Sequence, residues 1–481
     1  MTRRSLLGSL AGCAAAGAAT LPAAQRPAST APWNIVLILL DDLGWRDFGC
    51  YGNTFHETPA VDQVAKDGAL FTRSYAACPV CSPTRASILT GKYPARLKVT
   101  DWIPGRKQWP TAKLNTPAFN QQLPLAETTI AEMLAPKGYR SASVGKWHLG
   151  GTGYLPEQQG FALNVSGDHR GGVRKFFGPL EVGNLNLAEG ESLTDRLTSE
   201  AEKFIEASKD QPFFVYLSHY TPHLPLDAKP DVVDKYKRKG GTPDKNNPIY
   251  AAMIESVDDC VRRVRAKLQQ TGVADRTVVI VTSDNGGLRF EGRSPRPTTD
   301  NAPLRAGKGH LYEGGIRNPL LVYWPGVTKA GQKIDTLVST IDLLPTIAEI
   351  AGTATPRQVD GVSLVPLLRG NNGRLRRDAL YWHYPHYSNQ GGVPGGAMRE
   401  GNWKLIEFYE DSRLELFDLS KDPAEQHNLA MRESKRAAAM QKRLAAWRTS
   451  VSASMPTVNP GYDPAKADQG LTGAEKPTPP E

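Results

Sequence analysis

The chain has 481 residues, 40% of them hydrophobic and 22% charged, a balance that excludes a disordered protein and, at this length, a small binding module. Its 58 Lys and Arg outweigh 49 Asp and Glu for a net charge of +9. No long basic run, zinc-finger spacing or aromatic RNA-binding motif accompanies that excess, so nucleic acid is not the expected partner; an anionic small molecule or polysaccharide fits better.

The first residues read as an address. Arg3-Arg4 precedes a weakly apolar, Ala- and Gly-rich run ending near Leu21-Pro22-Ala23-Ala24, the order of a secretory signal, and the adjacent arginines point to the twin-arginine (Tat) export machinery. Residues 1–30 are therefore expected to be an export signal and the protein to be periplasmic or secreted. Leu10-Ala11-Gly12-Cys13 also resembles a lipoprotein box, which leaves a lipid anchor through Cys13 open. The next apolar run, Ile35 to Leu40, is far too short to span a bilayer. Cys50, Cys78, Cys81 and Cys260 remain, too few for a disulfide scaffold.

From residue 31 to about 375, apolar β-branched runs each end abruptly in polar residues. Asn34 to Leu40 precedes Asp41-Asp42, Ser141 to Val144 precedes Gly145-Lys146-Trp147-His148, Phe213 to Leu217 precedes Ser218-His219, and Val278 to Thr282 precedes Ser283-Asp284-Asn285. Helical stretches at Leu125 to Leu134, Leu193 to Ala207 and Tyr250 to Thr271 separate them. The pattern predicts an α/β fold, a large, mostly parallel sheet sandwiched by helices, with ligands beyond the carboxyl ends of its strands. Short aromatic runs, Ala379 to Tyr384, Trp403 to Tyr409 and Leu414 to Leu419, then predict a small antiparallel sheet closed by a helix from Arg432 to about Ser450, a C-terminal subdomain over 376–455. Residues 456–481, rich in Pro, Gly, Asp and Lys, are expected to be a flexible tail.

The sharpest local signal is Cys81-Ser82-Pro83-Thr84-Arg85, followed by Leu89-Thr90-Gly91-Lys92. Pro83 suits a first helical position, which puts Cys81 at a helix N-terminus that favours an anion, with Arg85 one turn on along the same face. Cys78-Pro79-Val80-Cys81 also reads as Cys-x-x-Cys, a redox pair or half a zinc site. Asp41, Asp42, Asp284 and Asn285 gather hard oxygen ligands at one sheet edge, suited to Ca²⁺ or Mg²⁺, with calcium favoured where the protein supplies most ligands.

With these residues the chain resembles the type I sulfatases of the alkaline phosphatase superfamily, whose signature is Cys-x-Pro-x-Arg followed by Leu-Thr-Gly and a basic residue. Gly145-Lys146-Trp147-His148-Leu149-Gly150 matches a second family segment, and Gly307-Lys308-Gly309-His310 ahead of Glu313-Gly314-Gly315-Ile316-Arg317-Asn318-Pro319 a third, although valine commonly stands where Asn318 does. Pro222-His223-Leu224-Pro225 matches a fourth; His219 is the alternative histidine, and His223 is chosen because the family's histidine usually stands just before an apolar residue and a proline. The resemblance runs from about Trp33 to Asp422-Pro423-Ala424-Glu425.

It implies that Cys81 is oxidised to formylglycine by a formylglycine-generating maturation enzyme. It also implies that Asp41, Asp42, Asp284 and Asn285 ligate the metal, with the group made from Cys81 completing the shell. Asp284 would help deprotonate the aldehyde hydrate, which attacks sulfur. His223 and Lys308 would stabilise or protonate the leaving oxygen, His148 would assist release of sulfate, and Arg85 and Lys146 would hold formylglycine and sulfate oxygens. The implied substrate is a sulfated saccharide or an aryl sulfate. A formylglycine-dependent phosphoester or phosphonate ester hydrolase and a non-catalytic sulfoglycan-binding protein are the rivals. Thr100-Asp101-Trp102-Ile103-Pro104-Gly105 looks like sulfatases acting on galactose or N-acetylgalactosamine 4-sulfate. The aromatics of Trp382-His383-Tyr384-Pro385-His386-Tyr387 could stack on a sugar or pack the small sheet.

Overall fold

Seven consecutive fully buried residues, Asn34–Leu40, form the central strand β1, whose alternate side chains must be covered on both faces. The computed structural model describes residues 32–109, 111–243, 246–289, 298–370 and 375–467. The export signal read over 1–30, Cys13 included, and the end of the tail lie outside the described residues.

Strands β2 (Ala69–Tyr75), β3 (Arg140–Gly145), β4 (Leu163–Val165), β5 (Phe213–Ser218), β6 (Thr277–Ser283), β7 (Arg317–Tyr323), β8 (Gln332–Ile334) and β9 (Val338–Ser339) join β1 in one nine-stranded sheet. Its order is β8-β2-β7-β6-β1-β5-β3-β4, with β9 also beside β2. All pairs are parallel except those of β7, which runs antiparallel to both β2 and β6.

Helices α1 (Cys81–Thr90), α2 (Leu193–Ser208), α3 (Pro248–Gln270) and α4 (Leu343–Ile350) supply the covering layers. Ile35, Leu37 and Leu39 share one core with Ile88 and Leu89 of α1 and Leu344 and Ile347 of α4. Val36, Ile38 and Leu40 share the other with Leu197 of α2 and Ile254 and Val257 of α3. The alternation of β1 thus decides which helix meets which residue.

Helix starts follow their caps. The Ser192 side chain accepts from Asp195 N ahead of α2, and the Asn247 side chain accepts from Ile249 N and Tyr250 N ahead of α3, where Pro248 needs no donor. The helix expected over Leu125 to Leu134 is shorter, Ile130–Leu134, because Thr129 and Glu132 form a reciprocal capping box that sets its start.

The small sheet has four antiparallel strands, β10 (Leu380–Tyr384), β11 (Gly395–Glu400), β12 (Trp403–Phe408) and β13 (Leu414–Asp418), closed by α5 (Ser434–Ser450). β11 escaped the sequence reading because it opens on Gly395-Gly396, a poor strand signal. The glycine has a packing reason: a Cβ on Gly396 would lie 2.5 Å from the Tyr409 hydroxyl. The aromatics of 382–387 pack rather than face a ligand. Trp382 is buried and donates its indole N–H to the Ala76 carbonyl (2.8 Å), and the Tyr384 hydroxyl donates to Asp101 (2.9 Å). In the segment read as a tail, Thr457–Val458 pairs with Leu114–Asn115, and the Trp109 indole donates to the Ala467 carbonyl (3.3 Å), so backbone pairing holds what lacks apolar residues to bury.

Candidate active site

Four strands deliver their successors to one edge of the large sheet. The ladders continue past the strand ends: Asp284 N donates to Leu40 O (3.1 Å), Asp41 N to Thr221 O (3.2 Å) and Lys146 N to Ser218 O (2.7 Å). That continuation sets the carboxylates of β1 and β6 beside the cation that follows β3. Two residues there, Asp42 (φ 65°) and His148 (φ 59°), adopt the left-handed conformation that costs a non-glycine residue energy, the kind of strain that collects at working sites.

Cys81 is the first residue of α1, after Val80 as N-cap, and Pro83 is therefore the third helical residue rather than the first, still within the turn whose amides need no helical acceptor. Arg85, one turn on and fully buried, donates from Nε (2.9 Å) and Nη2 (2.7 Å) to Asp284 Oδ2, and from Nη1 to Ser218 Oγ (2.5 Å) and the Lys146 carbonyl (3.3 Å). Its Nη2 also lies 3.4 Å from Asp41 Oδ1. Lys146 Nζ donates to Asp41 Oδ2 (2.7 Å). Lys308 Nζ straddles Asp42, 2.7 Å from Oδ1 and 2.8 Å from Oδ2, and the Asn285 amide donates to Asp42 Oδ1 (2.8 Å).

The predicted residues divide into two tiers. Cys81, Asp42, His148, His223 and Lys308 line a cavity of about 580 Å³. Asp41, Asp284, Asn285, Arg85 and Lys146 are buried to 0% exposure without lining it, so Arg85 and Lys146 engage carboxylates rather than open space. Of the two candidate histidines, His223 faces the cavity with Nε2 3.6 Å from Asp42 Oδ2. His219 is fully buried elsewhere, its Nε2 3.0 Å from Cys260 Sγ.

Cys81 has one ligand atom within 4.8 Å of those of Asp41 and Asp284, and Asp41, Asp42 and His223 form a second such group. Cys78 belongs to no such group among the described residues, which removes the zinc half-site, and all four described cysteines are free thiols. Asp41 Oδ1 and Asn285 Oδ1 are buried with no hydrogen-bond partner. Unsatisfied buried oxygens beside further carboxylates fit a hard cation.

Burial pushes the Cys81 thiol up, against the pull of Lys146 and Lys308. It pushes Asp284 up to about 6, with Arg85 pulling down and Asp41 pushing further up. Burial would raise Asp42 too, but Lys308, His223 and the Asn285 amide bring it well below the usual carboxylate range. For Lys308 burial works against the charge, and Asp42 overrides it, so the ammonium persists well beyond the ordinary range. Burial, then Lys146, lowers His148 far below its ordinary value, and burial lowers His223 to about 4. Both rings are neutral at pH 7, and the contact of His223 with Asp42 is then not an ion pair.

Carbonyl partners settle the tautomers, because a carbonyl only accepts. His148 Nε2 donates to Ile103 O (2.5 Å), which leaves Nδ1, buried and unpartnered, with its lone pair. His223 Nδ1 donates to Leu224 O (2.8 Å), which leaves Nε2 free. Gly171 makes room for the first ring: a Cβ there would sit 2.5 Å from His148 Cε1. The roles of the Ile103 carbonyl, the Ser218 hydroxyl and Gly171 carried no chemical signal in the sequence; only the abrupt polar end of β5 pointed near Ser218.

Residues 33–353, more than half of the chain, match the family profile described as Sulfatase. The chain belongs to the sulfatase family. Residues 306–450 of this sulfatase also match the profile described as N-sulphoglucosamine sulphohydrolase, C-terminal. Human arylsulfatase A is 32% identical to the sulfatase over 455 residues, covering 83% of each chain. Human N-acetylgalactosamine-6-sulfatase is 33% identical over 383 residues, covering 73% of this chain and 68% of its own. The crystal structure of Ps i-CgsB in complex with k-i-k-neocarrahexaose superposes with a TM-score of 0.74 at 28% identity, covering 86% of this chain and 92% of that one. The sulfatase is a sulfuric ester hydrolase, built on a mostly parallel sheet with helices and a small C-terminal antiparallel sheet.

Proposed function

We propose that the sulfatase hydrolyses sulfate monoesters of saccharides to an alcohol and inorganic sulfate, using a formylglycine made from Cys81 and one calcium ion. The observation that carries this reading is the meeting of Cys81, Asp41 and Asp284 within 4.8 Å under a cavity lined by Lys308, His148 and His223. Asp41, Asp42, Asp284 and Asn285 would hold the ion; a ligand set supplied so fully by protein oxygens favours calcium over magnesium, which keeps more of its water. When present, the aldehyde hydrate supplies a nucleophilic oxygen and the ion supplies positive charge beside the sulfate.

The remaining work falls to the chain. Arg85 and Lys146, buried against Asp284 and Asp41, offset the charge of those carboxylates and keep them aimed. Lys308 brings an ammonium to the cavity wall, where it offsets the substrate's charge and, with His223, meets the leaving oxygen. His148, its Nε2 proton committed to Ile103, offers Nδ1 as a proton acceptor.

Saccharides are favoured because one relative is named for N-acetylgalactosamine and one structural neighbour holds a neocarrahexaose; galactose and N-acetylgalactosamine 4-sulfates are the first candidates. Export through the Tat machinery to the periplasm or beyond completes the reading. That route carries folded chains, and Cys81 is 3% exposed once folded, so the maturation enzyme has to act before folding.

The test is release of inorganic sulfate from sulfated galactose, N-acetylgalactosamine and glucosamine and from an aryl sulfate, using protein co-produced with a formylglycine-generating enzyme. Turnover is expected to fall at least about a thousandfold in Cys81→Ala, which removes the nucleophile. No release from any ester, with residue 81 shown by peptide mass to be the aldehyde, would move the reading to phosphoesters or phosphonates.

A further inference from the structure

The cavity above Cys81 is shared between the two sheets. The large domain supplies Trp102, Leu224 and Leu288 as apolar walls with His169 and Arg170 as polar ones, and the turn that follows β10 supplies Asn389 and Gln390. We propose that Asn389 and Gln390 are the hydrogen-bonding rim of a subsite for the saccharide ring that departs with the alcohol oxygen; this rests on the saccharide reading above.

The turn is held so that it can present these amides in one place. Ser388 N donates to Gly392 O (2.8 Å) and Gly391 N to Ser388 O (3.2 Å), which closes the turn on itself. From outside, Arg106 Nη1 donates to Ser388 O (3.1 Å). Its other support is Gly309, next to Lys308. A Cβ on Gly309 would lie 2.0 Å from Ser388 Oγ, and a Cβ on Gly392 would lie 1.9 Å from Gly309 O. Only glycine at both positions lets the two segments meet so closely, and the contact ties the turn to the segment that carries Lys308.

The amides themselves are poised for a ligand. Gln390 Oε1 accepts from Ser388 Oγ (2.7 Å), which orients the side chain and uses its acceptor, leaving the NH₂ group as the free function. Asn389 is half-buried and makes no hydrogen bond among the described residues. Among the described residues neither side chain is hydrogen-bonded to the carboxylates or cations around Cys81, and neither is assigned a part in the chemistry at sulfur.

Apolar walls with an amide edge suit one kind of leaving group. A pyranose ring has C–H faces and a hydroxyl edge, and would use both; a flat aryl ring would use the walls and strand the amides. A site built to hydrogen-bond a hydroxyl discriminates by leaving its own polar groups unpaired when the hydroxyl is missing. These two residues therefore set preference between alcohols rather than the rate of sulfur chemistry.

The experiment measures kcat/KM for 4-nitrophenyl sulfate and for galactose 4-sulfate, N-acetylgalactosamine 4-sulfate and N-acetylgalactosamine 6-sulfate, in the matured full-length enzyme. It is repeated with Asn389→Ala, with Asn389→Leu, which keeps the volume, and with Gln390→Glu, which keeps the acceptor for Ser388 and removes the donors. For the best saccharide, the ratio of its kcat/KM to that of the aryl sulfate is expected to fall about tenfold in each variant, the worth of one neutral hydrogen bond, with the change in KM. A ratio that stays within twofold of wild type in all three variants, while saccharides are cleaved, overturns the subsite alone. Wild-type enzyme that cleaves the aryl sulfate but none of the saccharides overturns the subsite and the saccharide reading together. Matured enzyme that cleaves neither overturns both along with the sulfate chemistry assigned to Cys81.

Discussion

Two groups of buried charge sit on either side of the Lys308 segment, and they are built to opposite ends. In the first, Asp41, Asp42 and Asp284 meet Arg85, Lys146 and Lys308 at the cavity floor. In the second, Glu313 and Glu425 meet Lys404 and Arg399 where the small sheet joins the large domain. The second group is paired within itself, and none of its members lines the cavity. Glu313 Oε1 has Lys404 at 3.2 Å, Oε2 has the Tyr75 hydroxyl at 2.7 Å and Arg399 at 3.0 Å, and Glu425 has Lys404 at 2.8 Å and the Glu313 N–H at 2.7 Å. The first group is open, with Asp41 Oδ1 and Asn285 Oδ1 lacking any hydrogen bond and Asp42 in a strained backbone conformation. Equal burial of like groups thus marks a joint whose carboxylate oxygens each have a cation or donor within 3.2 Å, although no hydrogen bond is aimed at Glu425 Oε1, and a site where Asn285 Oδ1 has no hydrogen bond and Asp41 Oδ1 has only Arg85 at 3.4 Å.

The contrast can be broken most severely at the joint. Glu313→Ala strands the buried Arg399 and takes from Lys404 one of its two carboxylates, and is expected to cost about 3–5 kcal/mol of unfolding free energy, read from urea denaturation. It should leave intact any stabilisation by added calcium, because no atom of the joint belongs to the open group.

Calcium sharpens the other side of the comparison. With chelator as reference, calcium at about a hundredfold excess over its dissociation constant should stabilise the matured enzyme by about 2.7 kcal/mol, seen as a raised thermal midpoint. Asp41→Ala should abolish that shift together with sulfate release. A calcium shift that survives Asp41→Ala, or that vanishes in Glu313→Ala, would refute the division of labour.

The smallest effect concerns the carboxylate that links the regions. Asp101, beside the Ile103 carbonyl that holds His148, accepts from Tyr384 of the small sheet, and burial pushes it up to about 7 despite the bonds from Tyr384 and Trp102 N. Unfolded, it titrates near its ordinary 3.8. Between those values the folded chain binds more protons than the unfolded one, so this group's contribution falls as pH rises from about 4 to about 7 and its cost is complete above that. Asp101→Asn keeps the bonds from Tyr384 and Trp102 N, which share Oδ1, and cannot ionise; any cost at the bond from the Arg106 backbone N–H is independent of pH. Its stability relative to wild type should improve by about 1–3 kcal/mol between pH 4 and pH 8 in denaturation midpoints; a pH-independent difference would mean that Asp101 is ionised in the fold throughout.

Much of this was legible beforehand because the signals are local. A fully buried strand such as Asn34–Leu40 has to be a continuous apolar run, and the residues after it have to reach the carboxyl edge of the sheet, so Asp41, Asp42, Asp284, Lys146 and His148 could be placed from chain order. Cys81 at the start of a helix and Arg85 one turn later are likewise matters of spacing. What escaped was β11, whose glycines are chosen by the neighbouring Tyr409, and the start of the helix at Ile130, chosen by a capping pair.

By itself the sequence determined the large, mostly parallel sheet, the charge types gathered at its edge and the place of Cys81 on a helix N-terminus, since period, spacing and residue chemistry act over a few positions. Only the tertiary structure decided that Arg85 and Lys146 lie beneath the cavity, which ring nitrogens keep their lone pairs, and that Asn389 and Gln390 of the turn after β10 form part of its wall. Those facts depend on groups tens to hundreds of residues apart and on backbone carbonyls that every residue carries, so no side-chain pattern along the chain announces them.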